Sequence, residues 1–311
     1  MTNIDKRRDE GESESRELFV DEKGHVIGEV PIKHSYEEYL RMERIPHMWC
    51  PGCGIGTLAS CFIAGIKKLD VPREKIAIVS GIGCTGRIAG YLNLDSFHTT
   101  HGRAIPFATG LKLANPELHV VVIAGDGDLS SIGGNHLIHA SRRNIDITVI
   151  LNDNLIYGMT GGQVAPTTPR GARASTMPFG NYDPVFNIPK LLEAAGASFV
   201  ARWTAFHVRQ LSKSIQEAIQ KRGFSLVEVV SPCTTLYARR NKLGEGIDLM
   251  KFYKSNTKVD HKANLDDLTI EYQKQIICGK FVDREAPSYI DRYNEHMTEM
   301  FGKKFTPYPP K

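Results

Sequence analysis

Short runs of β-branched residues recur along the chain, at 75–80 (KIAIVS), 119–124 (HVVVIA), 146–151 (DITVIL), 197–201 (ASFVA) and 225–230 (SLVEVV). Their near-continuous apolar character predicts strands buried on both faces, as in parallel sheets. Helical patterns lie between them. Ile55, Leu58, Phe62, Ile66 and Leu69 recur at three- and four-residue steps, which predicts a helix with one apolar face. Leu137 and the residues at 139–141 belong to a second helix. Residues 206–222 form a third, with Gly223 as its C-cap. This alternation predicts a doubly wound, mainly parallel α/β sheet.

The ends of the chain differ from its middle. Residues 1–35 are polar and aperiodic, which predicts a flexible tail with a short strand at 25–30. The main domain is expected over 36–235. Residues 236–311 are polar and partly helical, and are expected as an extension over the core or towards a partner. Residues 158–182 are rich in Gly, Pro, Thr, Ala and Met; a loop of that length inside a compact domain is usually functional.

Composition narrows the class. Of 311 residues, 41% are hydrophobic and 24% charged, which argues against wholesale disorder. No apolar run approaches membrane-spanning length, and the N-terminus lacks an apolar signal core, so a cytoplasmic protein with no membrane contact is expected. The net charge of +4 is too small for a dedicated nucleic-acid surface. The 6 cysteines are too few for a disulfide scaffold.

Chemistry concentrates where the predicted strands end. Gly125-Asp126-Gly127-Asp128 follows HVVVIA directly. Ligands bind outside the carboxyl ends of such strands, glycines admit a phosphate, and an aspartate can hold Mg²⁺. By itself the motif is also a plain turn. After the next strand comes Asn152-Asp153-Asn154, again a turn-forming set by itself. Asn154 lies one helix and one strand beyond Asp126, so two neighbouring strands end side by side with oxygen ligands. Together they suit a divalent ion and a diphosphate.

Cys50-x-x-Cys53 is open to a zinc half-site, part of a cluster, or a redox dithiol. Cys84 and Cys233 each follow a predicted strand, which brings them to the same sheet edge. Four thiolates there suit a 4Fe-4S cube or a four-cysteine zinc site, and spacing alone leaves both open. Cys61 and Cys278 are expected to be buried structural thiols.

Gly125-Asp126-Gly127 followed by Asn154 resembles the thiamine diphosphate signature. The stretches Trp49-Cys50-Pro51-Gly52-Cys53-Gly54, Gly81-Ile82-Gly83-Cys84, Thr99-Thr100-His101-Gly102-Arg103-Ala104, Ile132-Gly133-Gly134-Asn135-His136 and Tyr157-Gly158-Met159-Thr160-Gly161-Gly162-Gln163 are similar to the β subunit of 2-oxoacid:ferredoxin oxidoreductases. The similarity spans about residues 40–245.

The resemblance implies Mg²⁺ on Asp126, Asn154 and the Ile156 carbonyl. It implies thiamine diphosphate beside Ile82, Gly83, Cys84, Thr85, His101, Gly125, Asp126, Gly127, Asp128, Asn154, Gly158, Met159 and Thr160. It assigns a 4Fe-4S cluster to Cys50, Cys53, Cys84 and Cys233. Thr85 stands where the family often has serine. The activity implied is oxidative decarboxylation of a 2-oxoacid to acyl-coenzyme A, with electrons passed to ferredoxin. The glutamate that activates the coenzyme is expected on an α subunit, with further γ or δ subunits as other partners. Arg87 is the candidate for a substrate carboxylate, and together with the His-Thr-Thr-His-Gly-Arg stretch it favours 2-oxoglutarate over pyruvate or branched-chain 2-oxoacids. His136 and His139 are expected to be ordinary helix residues. The rivals are a non-redox thiamine decarboxylase with a zinc site and an inactive zinc-stapled binding module.

Overall fold

The computed structural model describes residues 16–20, 25–31 and 34–309. Strands β1 (Arg16–Val20) and β2 (Val26–Pro31) form an antiparallel hairpin. The strand expected at 25–30 is thus present, displaced by one residue. The rest of the flexible tail expected over 1–35 lies mostly outside the described residues.

The remaining strands are β3 (Ile76–Ser80), β4 (Asp95–His98), β5 (His119–Gly125), β6 (Thr148–Asp153), β7 (Phe199–Thr204), β8 (Ser225–Val230), β9 (Thr257–Val259) and β10 (Ile276–Asp283). They form one sheet in the order β4-β3-β5-β6-β8-β7-β10-β9. Strands β3 to β8 are mutually parallel, and β10 runs antiparallel to β7. The helices are α1 (Gly54–Ile66), α2 (Ile88–Tyr91), α3 (Ala104–Ala114), α4 (Gly134–Arg143), α5 (Ile188–Ala195), α6 (Val208–Gln220), α7 (Arg239–Asn241), α8 (Gly246–Asn256) and α9 (Tyr289–Phe301). Among the described residues no helix is long and apolar enough to cross a membrane.

Each sheet face carries its own core, because side chains alternate along a strand. From β5, Val121 and Ile123 join Leu58 and Phe62 of α1 with Leu211 and Ile215 of α6. Val120, Val122 and Ala124 point the other way, towards Ile105 of α3, Leu137 of α4 and Leu192 of α5. Two covered faces explain why the strands read as continuous apolar runs. The approach of α1 to α6 depends on Gly65, where a Cβ would lie 3.0 Å from the Ser212 carbonyl oxygen.

Several elements left no apolar run to read. Strand β4 (DSFH) is exposed throughout at the sheet edge. Strands β9 and β10 come from the stretch expected as an extension, and they lengthen the main sheet beyond β7. Strand β7 runs on to Thr204, past the apolar run ASFVA, and so buries Arg202. That charge is compensated by its cross-strand partner in β8, Glu228, whose Oε2 lies 2.7 Å from Arg202 Nε.

Candidate functional site

The carboxyl ends of β3, β5, β6 and β8 share one edge of the sheet. The register pairs Gly125 with Asn152, so the Asp126 and Asp153 backbones emerge side by side. On β8, Val230 pairs with Asp153. The loops that follow therefore start from a common line.

One cavity lies over this line. Its walls are Ile82, Gly83, Cys84, Thr85, His101, Gly125, Asp126, Gly127, Asp128, Asn154, Ile156, Gly158, Met159 and Thr160, together with Tyr157. All the residues expected to touch coenzyme or Mg²⁺ thus meet at one place.

One side of the cavity is built from buried oxygens. Asp126 is 2% exposed, and the Thr167 hydroxyl donates to its Oδ2 at 2.7 Å. Burial pushes the Asp126 carboxyl upward, against the pull of the Thr167 hydroxyl and the Gly127 N–H. Burial and the Asp126 charge likewise push the Asp153 carboxyl well up. Two neighbouring buried carboxyls, each held up chiefly by burial, are relieved by a divalent cation. Asn154 Oδ1 and Asp128 Oδ2 are buried without a hydrogen-bond partner. Unpaired hard oxygens beside a buried carboxylate fit Mg²⁺ coordination. Between Asn154 and Ile156 the chain turns through Leu155, held in the left-handed region at φ 64°. A non-glycine residue there is uncommon and occurs at functional sites. The Leu155 carbonyl accepts the Thr168 hydroxyl at 2.7 Å, and Thr168 in turn is bridged to Asn181. The 158–182 loop has no helix or strand and folds back beneath the metal loop.

Glycines clear the diphosphate side. A Cβ on Gly127 would lie 2.5 Å from the Tyr157 ring, whose hydroxyl donates to the Gly127 carbonyl at 2.9 Å. Asp128 Oδ1 accepts the Gly102 N–H at 2.8 Å and also meets His101 Nδ1. The His101 ring stands edge-on to Tyr157 at 6.0 Å. A π-helical turn, Gly127–Ile132, begins here, and a second, Thr234–Ala238, follows Cys233. Such turns are rare and frequent at functional sites.

The thiols stand alongside. Cys50, Cys53, Cys84 and Cys233 are all free. A Cβ on Gly158 would lie 3.7 Å from Cys84 Sγ and 4.0 Å from Cys233 Sγ, so both sulfurs flank the cavity wall. Burial pushes the Cys53 thiol up to about 12; the Ile55 N–H opposes this, and Cys233, Cys84 and Cys50 add to the rise. All four therefore lie within one another's field. Backbone contacts join their loops: Gly54 N–H donates to the Pro232 carbonyl at 3.1 Å, and Trp49 Nε1 to the Cys84 carbonyl at 2.8 Å. Among the described residues no three His, Cys, Asp or Glu side chains converge on a single-ion site. Cys61 and Cys278 are buried elsewhere, each raised by burial.

Arg87 does not line the cavity. It is exposed and ends the 3-10 turn Thr85–Arg87 that follows Cys84. Burial raises the Cys84 thiol, and Arg87 is the cation that opposes this. His136 pairs with Arg103, and His139 accepts from Arg142 Nε at 3.4 Å. Neither histidine reaches the cavity. The site residues to which pattern reading gave no role are Tyr157, Thr167 and Asn152. Tyr157 and Asn152 lie inside stretches it singled out, whereas Thr167 carried no local signal.

The family described as thiamine pyrophosphate enzyme, C-terminal TPP binding domain, matches residues 81–229. Fold, cavity and this match define a thiamine pyrophosphate-binding enzyme domain. The chain is 49% identical over 271 residues to a 2-oxoglutarate synthase subunit KorB of Methanothermobacter marburgensis, covering 87% of this chain and 95% of the relative. It is 35% identical over 283 residues to a 2-oxoacid:ferredoxin oxidoreductase subunit beta of Saccharolobus solfataricus, covering 83% and 93%. A solved 2-oxoglutarate:ferredoxin oxidoreductase from Magnetococcus marinus, with 2-oxoglutarate, coenzyme A and succinyl-CoA bound, superposes with a TM-score of 0.75. It is 32% identical, and the match covers 87% of this chain and 92% of that one. The chain belongs to the family of 2-oxoacid:ferredoxin oxidoreductase β subunits, components of a multi-subunit enzyme.

Proposed function

We propose that this chain is the β subunit of a 2-oxoglutarate:ferredoxin oxidoreductase. The single observation that carries the reading is that the oxygen ligands, the glycine-cleared cavity and four free thiols share one sheet edge, with Cys84 belonging to both groups. When bound, thiamine diphosphate would supply carbanion chemistry for decarboxylating a 2-oxoacid, and an iron–sulfur cluster held by the four thiols would supply a one-electron acceptor on the way to ferredoxin.

The residues of this chain hold and orient. Asp126, Asn154 and the Ile156 carbonyl would hold Mg²⁺ against the diphosphate. Thr167 fixes the Asp126 carboxylate. Asp128 holds His101 and the start of α3 at the cavity rim. Cys50, Cys53, Cys84 and Cys233 would hold a 4Fe-4S cluster.

The site reads as one half of a shared centre. No glutamate lines the cavity. Ile82 and Met159 are exposed in its wall, and elsewhere the exposed rings of Phe97 and Phe107 stack at 3.9 Å. Exposed apolar side chains in the cavity wall suit an α subunit that brings the activating glutamate. Residues 36–235 would form the cofactor domain and 236–311 its extension. Arg87, exposed at the end of the turn that follows Cys84 and outside the cavity wall, is assigned to the distal carboxylate of the substrate.

The test is the anaerobically copurified complex. Iron, zinc and thiamine analysis should find iron and thiamine diphosphate. Reduction of a viologen dye should be faster with 2-oxoglutarate plus coenzyme A than with pyruvate. A zinc-loaded, colourless protein refutes the cluster reading, and a clear pyruvate preference refutes the substrate.

A further inference from the structure

Asn152, at the end of β6, is wholly buried. Its Nδ2 donates to Thr85 Oγ1 at 2.9 Å, and its Oδ1 accepts from Ser231 Oγ at 2.7 Å. Thr85 and Ser231 are themselves 3% and 2% exposed. The two partners belong to different loops. Thr85 follows Cys84. Ser231 precedes Pro232 and Cys233, and the Pro232 carbonyl accepts the Gly54 N–H next to Cys53. To reach Asn152, Thr85 must cross the end of β5, since β5 lies between β3 and β6. There, a Cβ on Gly125 would stand 3.7 Å from the Thr85 hydroxyl. Asn154 follows two residues later in the same strand end.

An amide satisfies this bridge without burying a charge; a carboxylate could accept from both hydroxyls only as an unpaired buried anion, and leucine could bond neither. The amide presents one donor to the threonine oxygen and one acceptor to the serine hydroxyl. A buried bridge with both ends satisfied specifies a single arrangement of the loops it joins.

We propose that Asn152 is a positioning residue that sets the separation of the Cys84 and Cys233 thiols across the sheet and ties both to the metal loop. The proposal rests on the reading that these thiols hold an iron–sulfur cluster. Loss of either bond lets one cysteine loop drift while the other stays anchored.

The experiment uses the copurified complex with Thr85→Val, Thr85→Ser and Ser231→Ala. Two readouts are taken. The first is the electron paramagnetic resonance spectrum and midpoint potential of the reduced cluster. The second is the rate at which phenylarsine oxide bridges Cys84 and Cys233 in chelator-treated protein, mapped by mass spectrometry. Thr85→Val and Ser231→Ala should each slow the bridging about fivefold, the effect of one lost hydrogen bond, and should shift the spectrum. Thr85→Ser, which keeps the hydroxyl, should restore both. Unchanged spectrum and bridging rate in Thr85→Val and Ser231→Ala overturn the proposal, even if the thermal midpoint falls. A complex without iron refutes the cluster reading instead, and the bridging rate still decides the role of Asn152.

Discussion

Thr167→Val is the sharpest test of the metal site. Thr167 is 1% exposed, and valine matches its shape, so packing is retained. The change deletes the hydroxyl that donates to Asp126 Oδ2 at 2.7 Å. That oxygen is then buried without this partner, which costs about 1–3 kcal/mol. With about 1.4 kcal/mol per factor of ten, the loss converts to a roughly 5- to 150-fold weaker site. Most of that range coincides with the about 10- to 100-fold cost of removing an outer-sphere partner of a metal ligand. The assay is Mg²⁺ titration of the copurified complex with thiamine diphosphate in excess, read by calorimetry. Thr167→Ser should stay within about twofold of the unaltered protein, because it keeps the donor. If Thr167→Val also binds Mg²⁺ within twofold, the reasoning that Thr167 orients a metal-binding carboxylate is refuted.

Further tests address other parts of the molecule. Arg87→Ala should raise the KM for 2-oxoglutarate about 10- to 100-fold, the loss of charge-assisted bonds, and leave any pyruvate turnover unaltered; steady-state kinetics on both substrates decides. Cys50→Ser should lower the iron content of the complex, whereas Cys61→Ser should not; metal analysis separates the two thiol classes. Arg202→Met should destabilise the fold by about 3–5 kcal/mol, because Glu228 is left buried and unpaired; Arg202→Met with Glu228→Leu should recover most of it in denaturant unfolding. The Arg222 guanidinium holds the Asp291 carboxyl down at about 2, below its ordinary 3.8. A depressed carboxyl contributes stability that is complete above its unfolded value and is lost as pH falls towards about 2. Asp291→Asn should therefore flatten that part of the acid-unfolding curve, and high salt should shrink the difference because the pair is largely exposed.

Much of the site was readable before folding was considered. The doubly wound sheet followed from apolar runs, and the two covered faces explain why those runs lack alternation. Gly125, Asp126, Asn154 and Cys84 were readable because each lies within a few residues of a strand end. In a parallel sheet all such ends fall on one edge. Strands β4 and β10 were not readable. The first is a polar edge strand. The second gains its place by pairing with β7, which its own sequence does not announce. Strand β7 was read short because an arginine interrupts the apolar run, and only its pairing with Glu228 makes that burial tolerable.

The sequence by itself determined the class of sheet and the edge on which the candidate oxygen and thiol groups gather. Each depends on short segments whose periodicity or spacing is written locally. Tertiary structure alone decided how those groups are held. Thr167 reaches Asp126 only because the 158–182 loop folds back. Asn152 clasps Thr85 and Ser231 only because β6 lies between the strands that carry them. Such contacts join residues far apart in the chain and follow from packing and strand order, which no local pattern records.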